Sequence, residues 1–103
     1  MSTVLERLQT WYASHCDGEW EHGHGVRIDT LDNPGWTLRI DLTGTQLATI
    51  PFAEHKDNYE SERDWLICSK KDGVFEGACG PTRLTDLLEV FLSWAAESNS
   101  QRS

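Results

Sequence analysis

A turn at Asp32-Asn-Pro-Gly35 decides which architectures are open to this chain. On its N-terminal side Val26, Ile28 and Thr30 alternate with Arg27 and Asp29. Beyond it Trp36, Leu38, Ile40 and Leu42 alternate with Thr37, Arg39 and Asp41. A period of two is that of a strand with one buried face. Pro34 holds φ at the second position of the turn, and Gly35 is expected to supply a positive φ at the third. Strands joined this tightly must run antiparallel, because parallel neighbours need a long crossover. The pair is therefore expected to be a hairpin with one face in the core.

The flanking segments follow a helical period. Val4, Leu5, Leu8, Trp11 and Tyr12 recur at helical spacing behind Ser2 or Thr3 as N-cap, which predicts a helix ending near His15 or Cys16. Asp17-Gly18 breaks it, and a polar loop runs to Gly25. After a turn at Thr43-Gly44-Thr45, residues 52–59 are a candidate charged strand. Residues 65–69 form a better one, and Lys71-Asp72-Gly73 turns the chain into a strand over residues 74–79. Gly80-Pro81 stops that strand. Leu84, Leu87, Leu88, Phe91, Leu92 and Ala95 then keep the spacing of an amphipathic helix. The expected fold is α+β: an antiparallel sheet of about five strands with N-terminal and C-terminal helices packed on one face. A chain of 103 residues is expected to form one domain, with 98–103 as a loose tail.

Seventeen Asp and Glu against nine Lys and Arg give a formal charge of −8. Nucleic acid is a poor partner for such a chain, since phosphates demand a basic footprint. An anionic membrane is poor for the same reason, and no run approaches the roughly 18 apolar residues of a membrane span. A basic protein is a suitable partner, because opposite net charges accelerate encounter and set specificity. Cys16, Cys68 and Cys79 cannot all pair within one chain and show no CxxC spacing. Reduced thiols and the lack of a basic-then-apolar leader make the cytoplasm the expected location.

Two clusters could carry chemistry. His15, Cys16, His22 and His24 offer the imidazole and thiolate ligands that zinc uses, but at spacings that match no standard ligand pattern. The expected state is a solvated loop without metal or cofactor, with His15 at the negative end of the helix dipole. Cys79 stands just ahead of a helix N-terminus and near Arg83, a setting that lowers a thiol pKa. A thiol-dependent enzyme of the sulfurtransferase kind would use it. Such enzymes need a longer anion-cradling loop than Gly80-Pro81 leaves, so a buried structural cysteine is expected and no catalytic residue is assigned. The glycine-rich phosphate loops, the HExxH zinc motif and the GxSxG nucleophile elbow do not occur.

Charge is distributed unevenly. Between Asp17 and Asp64 lie eleven acidic residues against four basic ones, and Trp20, Trp36 and Trp65 fall in the same stretch. Aromatic anchors ringed by carboxylates suit a basic protein surface. The candidate partner-binding residues are Asp17, Glu19, Trp20, Glu21 and His22 of the loop, Asp32, Asn33 and Trp36 of the turn, and Glu60, Glu62, Asp64 and Trp65.

Several ordered motifs resemble the immunity protein 53 family: Trp11-Tyr12, Cys16-Asp-Gly-Glu-Trp-Glu-His22, Thr30-Leu-Asp-Asn-Pro-Gly-Trp36, and Ala78-Cys-Gly-Pro81 before a Leu-rich helix. The resemblance spans about residues 4–95. It implies a bacterial, cytoplasmic antidote that binds a cognate polymorphic toxin and blocks it. Family members also carry a sulfurtransferase-like label, which only Cys79 could support. Charge favours a basic nuclease as the toxin, and the oligomeric state is left open.

Overall fold

Thr3 and Glu6 open the first helix reciprocally. The Glu6 N–H donates to Thr3 Oγ1 and the Thr3 N–H to Glu6 Oε1, both at 3.1 Å, a capping box at the start of α1 (Val4–His15). This computed structural model describes residues 3–32, 34–58, 60 and 63–100. After α1 come a one-turn helix α2 (Trp20–Gly23), then β1 (Val26–Leu31), β2 (Gly35–Asp41), β3 (His55–Asp57), β4 (Leu66–Lys71), β5 (Val74–Cys79) and α3 (Leu84–Ser100). A 3-10 turn over Gln46–Thr49 lies between β2 and β3. The strands form one antiparallel sheet in the order β1-β2-β5-β4-β3. The fold is α+β, as the tight turns require. Between β4 and β5, Asp72 and Gly73 both take positive φ, 53° and 77°, which matches the twist of a two-residue hairpin.

The core lies between the sheet and the helices. α3 contributes Leu87, Leu88, Phe91, Leu92, Trp94 and Ala95, and α1 contributes Leu8 and, at its margin, Trp11. Facing them across the sheet stand Ile40 beside Phe75, Leu38 and Cys68 flanking Gly77, and Trp36 and Leu66 flanking Cys79. Gly77 makes room for this layer. A Cβ there would sit 2.6 Å from Leu87 Cδ1, so α3 packs down on β5 where a side chain is missing. Edge-on rings join the layers: Phe91 meets Phe75 at 5.1 Å and Trp11 at 5.0 Å between centroids. Among the described residues no helix is long and apolar enough to cross a membrane.

Four local readings of the sequence change. Gly35 does not adopt a positive φ. A Cβ on it would collide with the Cys79 carbonyl oxygen, so the close approach of β2 to β5 requires glycine there. β1 is an edge strand, and its alternation marks a face without burying it. Ile28 and Thr30 share rungs with the core-facing Leu38 and Trp36, yet Ile28 is 36% exposed and Thr30 is exposed too, because the helices cover the centre of the sheet and leave this edge open. The charged strand is short, covering only His55–Asp57 of the expected 52–59, and Tyr59 lies outside the described residues. α3 runs on through Ser100, three residues into the stretch read as a tail, and residues 101–103 are outside the description.

Candidate partner-binding surface

The loop after α1 is closed by its own carboxylates. Asp17 Oδ1 accepts the N–H groups of Glu19 and Trp20, both at 2.9 Å, and Glu21 accepts those of Asp17 and Gly18 at 2.9 and 2.8 Å. These bonds favour the ionised forms. Asp17 is held below the usual carboxylate range chiefly by the Trp20 and Glu19 amides, and Glu21 by its own backbone N–H together with those of Asp17 and Gly18. Gly18 takes φ 95°, which glycine reaches without strain.

The purpose of this loop closure is to seat Trp20. Its indole is only 7% exposed and donates Nε1–H to the Thr43 carbonyl at 2.8 Å. Trp11, Tyr12, His15 and His24 surround it at centroid distances of 5.6 to 6.1 Å. His15 also meets Trp11 at 4.6 Å. Burial lowers the His15 pKa, and the residue stands in the last turn of α1. Trp20 therefore seals the core at this end of the molecule. Glu19 and His22 point outward, and Cys16 is exposed with its thiol donating to the Tyr12 carbonyl at 3.4 Å.

The other candidate residues gather at the opposite end of the sheet. β1 starts beside the Trp20 loop and delivers the chain to Asp32 about 20 Å away, six residues at roughly 3.3 Å each. There Trp65 packs its ring on Gly35, and the Gly80 N–H donates to the Trp65 carbonyl at 2.9 Å. Trp36 Nε1–H donates to the Pro81 carbonyl at 3.0 Å. Arg83 ties the region together, reaching Asp57 and Asp86 at 2.8 Å and the Asp64 carbonyl at 2.6 Å. Trp36 and Trp65 remain half-buried, while Asp32, Glu60 and Asp64 are exposed. Asn33 and Glu62 lie outside the described residues. The acidic stretch that is continuous in sequence is thus divided between two poles.

The thiol and metal alternatives find no geometry. Cys79 is fully buried in β5, and burial raises its pKa despite the nearby Arg83. Cys68, equally buried, is pushed up to about 12. Protonated, enclosed thiols are poor nucleophiles. The expectation that the approach to α3 lowers the Cys79 pKa is therefore reversed by desolvation. A thiol titration should find one fast-reacting cysteine, Cys16, with Cys68 and Cys79 reacting only after denaturation; a fast second thiol in the folded protein contradicts this. Cys16, His22 and His24 do not converge, and among the described residues no three His, Cys, Asp or Glu side chains are grouped to hold a metal ion.

One feature escaped the reading of the sequence. A groove of about 820 Å³ runs from α1 past α2 to the start of β1, lined by Gln9, Tyr12, His22, His24, Arg27 and Arg39 among others. Within it His24 Nδ1 and Asp41 Oδ2 are 2.7 Å apart. Polar positions of alternating strands carried the signal, but only the register brings Arg27 opposite Arg39.

Comparison with known proteins is consistent with this description. No curated protein and no solved structure matches the chain. The family model described as Immunity protein 53 matches residues 5–96, nearly the whole length. The protein belongs to the immunity protein 53 family.

Proposed function

We propose that this immunity protein neutralises a cognate polymorphic toxin in the cytoplasm by docking it at the pole built from the Asp32 turn and the 60–65 segment. The observation that carries the reading is the half-buried indole of Trp65, at the end of the sheet that also bears the exposed Asp32, Glu60 and Asp64, with Trp36 half-buried on the core-facing side of the same end. Tryptophan is enriched among interface hot spots, and it offers a large area at little entropic loss. The surrounding negative charge suits a cationic toxin domain, such as a basic nuclease, and would steer its approach. At the Trp20 pole the indole is buried, and Asp17 and Glu21 accept backbone amides of their own loop.

The test uses the toxic domain of the cognate toxin. Reversing Asp32, Glu60 and Asp64 to lysine together is expected to slow association about ten- to a hundredfold at low salt and to flatten its salt dependence. Trp65→Ala is expected to weaken binding by about 2 kcal/mol or more, mainly through faster dissociation. Glu19→Lys serves as the charge control and should leave both constants near wild type. Tight binding that survives the triple reversal unaltered would remove the pole from the interface.

A further inference from the structure

We propose that Arg27 and Arg39 form a binding site for the carboxylates of an acidic segment on a protein partner, set in the groove between α1 and the start of β1. The two arginines occupy the same rung of the β1–β2 ladder and project from the face of the sheet that the helices leave open. Directly opposed side chains of like charge repel, so the sheet gains nothing from this pairing. Counterions are abundant in a chain with seventeen acidic residues and nine basic ones. Arg7 uses Glu89, and Arg83 uses Asp57 and Asp86. Among the described residues Arg27 and Arg39 make no ion pair or hydrogen bond, even though Glu76 stands next to Arg39 on the neighbouring strand.

The groove around them is short of acceptors. Its two carboxylates are engaged: Glu21 by the amides of Asp17 and Gly18, and Asp41 by His24 and the Thr43 N–H. What is left is a fork of ten guanidinium N–H donors on two side chains, a shape that matches carboxylate oxygens two at a time. A nucleic acid fits poorly. Asp29 and Glu76 flank the pair on the open face, so an extended phosphate chain would meet negative charge beyond its first contact. A protein segment with one or two acidic side chains meets no such obstacle. The site is distinct from the tryptophan pole and stands or falls independently of it.

The test is NMR of the full-length protein, following the Arg Nε–Hε signals and the amides of β1 and β2. A capped Gly-Glu-Glu-Gly peptide is expected to give saturable shifts centred on Arg27 and Arg39, while Gly-Lys-Lys-Gly gives none. Arg27→Gln with Arg39→Gln should weaken the peptide at least about tenfold, the loss expected for a charge-assisted bidentate contact. The same double variant should melt at or slightly above the wild-type temperature, since it relieves a repulsion. Any of three results overturns the proposal: no saturable shift with the di-glutamate peptide, undiminished binding by the double variant, or tighter binding of oligothymidine or inorganic phosphate than of the peptide. A large drop in melting temperature would also overturn it, by showing that the arginines serve the fold.

Discussion

Replacing Trp20 by alanine should lower the unfolding free energy by about 3–5 kcal/mol, the range for deleting a large buried aromatic side chain. The indole is 7% exposed and ringed by Trp11, Tyr12, His15 and His24, so its removal leaves a cavity that these rings cannot all close. The Thr43 carbonyl loses its donor at the same time. With natural domains stable by roughly 5–15 kcal/mol, a loss of this size brings the protein close to unfolding at physiological temperature. For a domain of this length it corresponds to a fall in melting temperature of about 12–40 °C, at roughly 4–8 °C per kcal/mol. Trp20→Phe separates the two contributions. It keeps most of the apolar area but removes the donor to the carbonyl of the exposed Thr43, and should cost about 0.5–1.5 kcal/mol. Urea unfolding followed by circular dichroism measures both. A loss below about 1 kcal/mol in the alanine variant would mean that the loop is not part of the cooperative core. Because the proposed docking pole is at the other end of the sheet, the folded fraction of Trp20→Ala should still bind toxin with near wild-type affinity.

Gly80→Ala is expected to damage both stability and binding. Gly80 has no positive φ, so alanine meets no backbone strain of its own. Its Cβ would instead overlap the carbonyl group of Arg63, a backbone group that cannot rotate aside. The 63–65 segment must move off the end of β5, and the hydrogen bond from the Gly80 N–H to the Trp65 carbonyl is strained or lost with it. Overpacking and a weakened buried bond together should cost about 3 kcal/mol. Trp65 rides on the displaced segment, so toxin affinity should fall even at temperatures where the variant is fully folded. The contrast with Trp20→Ala is the informative part. One variant is predicted to lose stability alone, the other stability and affinity together. If Gly80→Ala binds as wild type while folded, Trp65 is not an anchor.

The candidate surface was only partly legible in the sequence, and particular residues show why. Asp17, Glu19 and Glu21 are equivalent as letters in an acidic, polar stretch. Loop closure distinguishes them, because the backbone amides of residues 17–20 converge on Asp17 and Glu21 and leave Glu19 outside. Trp20, Trp36 and Trp65 were equally good anchors by composition. The fold buries the first and leaves the other two half-covered. Arg27 and Arg39 were each unremarkable polar positions in a strand until the register set them face to face.

Neighbouring residues alone settle the helices, the strands and the hairpin turns. Capping by Thr3, the apolar stripe of α3, the period of two around Asp32 and the Asp72-Gly73 turn all act over a few residues. Those interactions need no knowledge of the rest of the chain, and they also force the sheet to be antiparallel. Burial and proximity have a different origin. Ile28 is exposed because no helix reaches the β1 edge, Gly35 is obligatory because Cys79 passes beside it, and the acidic stretch splits because β1 carries it across the sheet. Each of these depends on groups far apart in the chain meeting, or failing to meet, in space, and it is such meetings that select the residues a partner can touch.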